Sequence, residues 1–338
     1  KALIAVAKKI HTEKKIAEYG IKSAKIEFDF ASVMKRVAGV VKKIEPNDSV
    51  ERYTKLGVDC FSGEAKIISP YHVLINGKEY STKSIVIASG AEPYIPNIPG
   101  LNDIKYLTSE TLWDLKKLPK KLLILGGGPI GCELAQAFSR LGSEVTLVEM
   151  GERIMPKEDM DVSSFMKEAL EKEGLKILTF HKAIEFKKGK TNSVICEANG
   201  NKVEIKFDEV ILAIGRKART KGFGIEELGI RLNPNGTIET DEFLRTNFPN
   251  IFVCGDAAGP YQFTHTASHQ AWYASVNALF GFIKKFKADY SVIPWTTFTD
   301  PEVAHVGLSE AEAKEKKLDI EISQYSIEEL DRAIADGE

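Results

Sequence analysis

The sequence predicts an α/β fold in which one unit of alternating strands and helices is nested inside another. Three observations predict it. A glycine cluster at 126–131 follows an apolar strand and opens a helix, and the segment beyond it alternates strand with helix. Two more apolar strands end in Ala-x-Gly, at 88–90 and 213–215, one on each side of the cluster. Strand–glycine turns are common in α/β proteins, so these paired ends alone do not settle the nesting.

In chain order, Lys1–Ile16 reads as a helix. Residues 57–90 read as short strands with turns: Asn76-Gly77 is a hairpin signal, and Ser84–Ile87 is a buried strand running into Ala88-Ser89-Gly90. The proline-rich AEPYIPNIPG (91–100) leaves a domain, and Ser109–Leu115 suggests a short helix. Strand 122–125 leads to a helix over 129–141, then strand 144–148. A helix over 161–173 follows from Val162, Phe165, Met166, Ala169 and Leu170 at helical spacing. Strands are expected at 175–179, 193–198, 203–206 and 209–213. Asn235-Gly236 marks another hairpin, strand 251–254 runs into Cys254-Gly255-Asp256, and a helix covers 264–281. Ser309-Glu310-Ala311-Glu312 is a capping box for a last helix.

The 338 residues suffice for two or three domains, with 43% hydrophobic and 28% charged residues. A net charge of −2 argues against nucleic acid as the main partner, which needs a basic excess. The lysine pairs Lys8/Lys9, Lys14/Lys15, Lys120/Lys121 and Lys284/Lys285 mostly have acids nearby and read as solvated faces. No secretory signal is visible, and the most apolar stretch, 122–141, carries Glu133, Gln136 and Arg140, so no membrane span is expected. Cys60, Cys132, Cys196 and Cys254 are scattered without CxxC spacing and read as reduced thiols of a cytoplasmic protein.

The glycine cluster carries the most chemistry. Gly126, Gly128 and Gly131 follow the apolar strand at the fingerprint spacing. Gly126 permits the tight turn, Gly128 lets backbone approach a pyrophosphate at the positive end of the helix, and Gly131 clears space where helix meets strand. Strand Val145–Val148 ends on Glu149, placed for ribose hydroxyls and repulsive to a 2′-phosphate, so NAD is favoured over NADP. A glycine-rich turn that binds nothing is the alternative. Spacing, strand, helix and acid all agree against it.

The motifs IVIASGAEPYIPNIPG, GGGPIGCELAQAF…VTLVE, VILAIGRKA, TNFPNIFVCGDAAG and FTDPEVAHVGLSEAEA occur in order over essentially the whole chain. With them the sequence resembles the pyridine nucleotide–disulfide oxidoreductase family, in particular its dihydrolipoamide dehydrogenase and mercuric reductase branch. The resemblance implies two nested Rossmann-like dinucleotide-binding domains, one for FAD and one for NAD, plus the start of an α+β interface domain. It implies an FAD domain over 1–106 and 225–288, an NAD-binding domain over 107–224 and an interface segment over 289–338 of a homodimer.

On the NAD side it implies Gly126, Gly127, Gly128, Pro129, Ile130, Gly131, Glu149, Ala183, Ala213, Gly215 and Arg216. On the FAD side it implies Lys1, Gly63, Ser89, Gly90, Gly255, Asp256, Thr264 and His265. Asp256 would hold the ribityl chain, although by itself an Asp at a strand end is as readily a helix cap. The helix starting at Thr264 would point its positive end at the flavin. Lys1 and Glu133 match a catalytic lysine–glutamate pair beside the flavin. His265 and His269 lie four apart, but no third ligand accompanies them, and no metal is expected.

The family's redox cysteine pair would precede Lys1, and Lys1–Glu338 holds no substitute for it. Both ends read as cut, so a chain of these residues alone is expected to be colourless and inactive. Three readings stay open: an FAD- and NAD-dependent disulfide or metal-ion oxidoreductase, a nucleotide-binding module without redox activity, and a relative that reduces a non-disulfide acceptor such as oxygen or a quinone.

Overall fold

A strand that is apolar without interruption must be covered on both faces, and the strand before the glycine cluster is such a strand. The computed structural model describes residues 1–12, 16, 19–23 and 25–336. Its elements begin with α1 (Ala2–His11), α2 (Phe30–Ile44), α3 (Val50–Lys55), β1 (Ala65–Ser69), β2 (His72–Ile75), β3 (Lys78–Ser81), β4 (Ile85–Ile87) and β5 (Ala91–Pro93). Then come β6 (Leu107–Thr108), β7 (Lys121–Leu125), α4 (Pro129–Arg140), β8 (Glu144–Val148), α5 (Met160–Lys172) and β9 (Lys176–Leu178). β10 (Lys182–Lys187), β11 (Asn192–Ala198), β12 (Asn201–Phe207), β13 (Glu209–Leu212) and β14 (Arg216–Ala218) follow. The chain continues through β15 (Ile251–Val253), α6 (Thr264–Phe280), β16 (Pro294–Thr297), β17 (Val303–Val306), α7 (Glu310–Glu315) and α8 (Asp331–Asp336). They fall into two compact units, the first made of Lys1–Val40, Asn97–Ala213 and Thr296–Glu338, the second of Val41–Pro96 and Ile214–Trp295.

The first unit is built on a parallel sheet of order β6-β13-β7-β8-β9. Counted from β7, the order is that of a Rossmann sheet, with α4 and α5 as the first two crossovers. The third crossover is the antiparallel sheet β10-β11-β12. Successive side chains of β7 serve opposite faces. Leu122 and Ile124 pack with Phe138 of α4 and Met166 of α5, alongside Leu3 of α1 and Val33 of α2. Leu123 and Leu125 pack with Val194, Cys196 and Phe207 of the antiparallel sheet.

The last turns of α4 hold the segment after β16 through a buried polar cluster. Arg140 donates to both carboxylate oxygens of Glu173, at 2.7 and 2.5 Å, and to Asp300 Oδ2 at 2.8 Å. Its side chain is 4% exposed, a position only a fully paired guanidinium tolerates. Gln136 donates to the Asp300 carbonyl at 2.7 Å and accepts the Asp300 N–H at 2.8 Å. Lys8 of α1 reaches Asp300 Oδ1 at 3.1 Å. Burial raises the Asp300 carboxyl, but the Lys8 and Arg140 contacts outweigh it and hold the group below its ordinary value.

In the second unit β4 and β15 pair in parallel, so Ala88-Ser89-Gly90 and Cys254-Gly255-Asp256 leave from the same sheet end. β5 and β14 form an antiparallel pair next in the chain. The hairpin signal at Asn76-Gly77 joins β2 to β3, with φ of 51° and 82° as a type I′ turn requires.

Several elements depart from the sequence expectation. The first helix ends at His11, and the rest of the expected span to Ile16, like Lys14/Lys15, lies largely outside the described residues. Ser109–Leu115 yields only a 3₁₀ turn at Leu112–Asp114, because the Thr111 hydroxyl takes the Thr108 N–H and locks a tighter turn. Asn235-Gly236 turns the chain, closed by the single bridge Leu232↔Ile238. α2 and β10 were not expected. α2 buries only Phe30, Val33, Met34 and Val37, a stripe confined to its first half.

Two measurements test the cluster. Arg140→Met should cost about 3–5 kcal/mol in urea unfolding, since it strands Glu173 and Asp300. Because the Asp300 carboxyl is depressed, its contribution is present above the unfolded value near ~4 and is lost as pH falls through the folded value. Asp300→Asn should therefore lower stability at neutral pH and flatten the acid limb of a pH series of urea melts.

Candidate functional site

The turn between β7 and α4 is set by two glycines. Gly126 has φ of 107°, a conformation L side chains rarely adopt. At Gly131 a Cβ would lie 1.9 Å from the Gly126 carbonyl oxygen, so helix and turn touch backbone to backbone. At Gly128, the helix N-cap, a Cβ would meet nothing within 4 Å, and no side chain caps the helix. Pro129 at the first helical position gives up an N–H that has no intrahelical partner. Ile130, the next residue, is exposed. The remaining first-turn N–H groups and the open space over Gly128 form a cradle for an anion.

Glu149 braces this cradle. One carboxylate oxygen accepts the Gly127 N–H at 2.6 Å and the other the Gly151 N–H at 2.6 Å. The Gly127 carbonyl in turn accepts the Met155 N–H at 2.7 Å and the Cys132 thiol at 3.3 Å. Sequence reasoning placed Glu149 at this end of the sheet but missed Met155 and Cys132, which carry no motif. Ala213 follows β13, its N–H on the Leu125 carbonyl at 2.8 Å, level with the end of β7. Ala183 lies in β10 opposite Cys196.

Lys1 and Glu133 converge on one residue, Phe298, and form no direct ion pair. Glu133 Oε1 accepts the Phe298 N–H at 2.9 Å, and the Lys1 ammonium stands over the Phe298 ring, 4.2 Å from its centre. Burial is the largest influence on the Glu133 carboxyl and raises it, while the Phe298 N–H and the Lys1 side chain pull it back.

In the second unit, the ends of β4 and β15 gather several predicted residues. Arg216 Nε lies 3.5 Å from Asp256 Oδ2, and its Nη2 donates to the Ala91 carbonyl at 2.7 Å. The Ser89 hydroxyl donates to the Arg219 carbonyl at 2.7 Å, and the Gly90 carbonyl accepts the Arg219 N–H at 2.9 Å. Gly255 adopts φ of 74°, its N–H on the buried amide oxygen of Gln270 at 2.7 Å. Gln270 also donates to the Gly259 carbonyl and Tyr290 hydroxyl. Gln270 carries no motif, and its complete burial is visible only in the structure, so sequence reasoning missed it. Gly215 is bonded to Tyr94, and Gly63 rests against the Asn76 side chain.

Thr264 opens α6, and His265 stacks on Phe263 with ring centres 5.4 Å apart. His269 turns to the Asp289 carbonyl at 2.7 Å. Among the described residues no group of three or more His, Cys, Asp or Glu is placed to hold a metal ion. All four cysteines are free. Burial raises Cys132 and Cys254 and pushes Cys196 up to about 11, which keeps all three protonated.

Both units have features that fit a dinucleotide. The first offers the open cradle at Gly128. In the second, the fully buried Thr266 hydroxyl in the first turn of α6 has no partner among the described residues, as a group awaiting a ligand would. Gly128→Ala should leave the melting temperature nearly unchanged, within about 0.5 kcal/mol of the parent protein. Gly131→Ala should lower stability by roughly 1–3 kcal/mol or more through backbone overpacking. Paired thermal melts read the contrast.

Residues 2–271 match the pyridine nucleotide-disulphide oxidoreductase family, and residues 293–338 match the dimerisation domain of the same family. The chain is 34% identical over 321 residues to a mercuric reductase of Staphylococcus aureus, covering 94% of this chain and 58% of that protein. It is 34% identical over 342 residues to a dihydrolipoyl dehydrogenase of Thermus scotoductus, covering 100% of this chain and 72% of that protein. Among solved structures, the HOCl-induced flavoprotein disulfide reductase RclA from Escherichia coli superimposes with a TM-score of 0.82 at 26% identity, covering 99% of this chain and 74% of that one. Against several mercuric reductases the chain thus spans less than two thirds of the relative's length. Among the described residues no helix is long and apolar enough to cross a membrane. The family uses FAD and NAD(P) as cofactors. The chain belongs to the pyridine nucleotide–disulphide oxidoreductase family.

Proposed function

We propose that this chain is the nucleotide-binding body of an FAD-dependent oxidoreductase that exchanges a hydride between NAD(H) and flavin and passes electrons to or from a dithiol/disulfide substrate. The observation that carries this reading is the braced, open glycine cradle at Gly126–Gly131 with Glu149 locked behind it. Bound flavin and nicotinamide would supply the hydride chemistry. The protein's own residues do the rest.

Gly127 and Gly128 with the N-terminus of α4 would hold the pyrophosphate of NAD(H). Glu149 would meet the adenosine ribose and exclude a 2′-phosphate by charge. Asp256, Gly255 and Thr264, with Ser89, Gly90, Gly63 and His265 nearby in sequence motif, would hold FAD. Lys1 and Glu133 would orient the reacting rings and balance their charge. We assign residues 107–224 to NAD binding, 1–106 and 225–288 to FAD binding, and 289–338 to a homodimer interface in a cytoplasmic enzyme.

The likeness to mercuric reductases favours a second reading in which the acceptor is a metal ion rather than a disulfide. A protein that binds NAD(H) without flavin is the third. A visible spectrum taken beside the intact mass separates the two flavoenzyme readings from the third. A flavin spectrum supports the oxidoreductase, and a colourless protein that still binds NADH leaves the binding module. In fluorescence titration NADH should bind at least roughly tenfold tighter than NADPH, about 1.4 kcal/mol, and Gly128→Ala should weaken NADH without changing the fold. Equal affinity for the two nucleotides would sink the role given to Glu149.

A further inference from the structure

Glu133, Gln136 and Arg140 lie on one face of α4, spaced by about one helical turn. Each holds a different point of a single extended segment. Glu133 takes the Phe298 N–H, Gln136 takes the N–H and carbonyl of Asp300, and Arg140 takes its carboxylate. The segment is thus laid along the helix and pinned at its far end by the buried Arg140–Glu173 pair. At its near end Phe298 serves two masters. Its backbone binds the carboxylate of Glu133 and its ring carries the ammonium of Lys1.

We propose that Phe298 is the positioning residue of the Lys1–Glu133 pair, so that a residue of the dimerisation-domain segment sets the geometry of an acid on the nucleotide-binding helix. Phe298 lies within the 293–338 match to that domain, whereas Glu133 lies within the 2–271 match. An aromatic face is needed here, because an aliphatic side chain of similar size keeps the N–H but offers the ammonium no negative surface. Lys1 then loses its seat, and its field at the carboxylate weakens. The other titratable groups on the packed elements are Cys132 of α4, a buried thiol that feels the Glu133 charge, and Lys8, Arg140, Glu173 and Asp300, which are engaged with one another further along the helix.

The significance for hydride transfer rests on the proposed function, but the geometry can be tested without it. In the purified protein, the Glu133 carboxyl can be followed by infrared titration with ¹³C-labelled glutamate, using Glu133→Gln to assign the band. Phe298→Leu should move its titration upward by roughly one pH unit, the scale of a departing charge partner. Phe298→Tyr should restore the parent value. If Phe298→Leu titrates like the parent, at an unchanged melting temperature, the positioning role is wrong. Should Phe298→Leu fold poorly, a Phe298→Tyr protein that folds well but titrates away from the parent would overturn it equally. The flavin midpoint potential of Glu133→Gln is a separate arm. An unchanged potential would remove Glu133 from the flavin's surroundings and sink that part of the functional reading, whatever the infrared titration gives.

Discussion

The structure depends first on a backbone contact: the closeness of Gly131 to the Gly126 carbonyl lets α4 start directly over the end of β7. No side chain fits there. Once the helix is seated, its first-turn N–H groups face open space above Gly128, and its later turns lie against Leu122 and Ile124. The proposed binding surface and the core follow from one close approach.

The cradle is stiffened from behind by hydrogen bonds within the protein. Glu149 spans from Gly127 to Gly151, and Met155 and Cys132 both hold the Gly127 carbonyl. A peptide unit bonded on both sides cannot rotate freely, so its dipole stays fixed. Preorganised dipoles cost no reorganisation when an anion arrives. Gln270 plays the same part in the second unit, fixing both Gly255 and Gly259 from a fully buried position.

The polar face of α4 shows how a helix can serve two domains of a family at once. Its N-terminal end is the part proposed to meet the nucleotide, and its Glu133, Gln136 and Arg140 face holds the 298–300 segment. Buried charges survive there because each has partners: Arg140 with two acids, Asp300 with two bases. The arrangement ties the helix that would carry NAD(H) to a segment matched to the dimerisation domain.

Much of this was legible in the sequence. The glycine spacing, the apolar run at 122–125 and the acid at 149 determine a Rossmann turn, because backbone sterics and period-two burial act locally. The hairpin at Asn76-Gly77 and the capping box at Ser309 are equally local, and both are formed. Tertiary structure alone decided the rest. That α2 would form at all depended on partners for Phe30 and Met34, and Ser109–Leu115 tightened because a threonine hydroxyl competed for its backbone. The meeting of Lys1 and Glu133 on Phe298, 165 residues beyond Glu133, could not be read from spacing. Local rules fix turns and strands, whereas buried charges find their partners only when the folded chain brings distant segments within reach of one another.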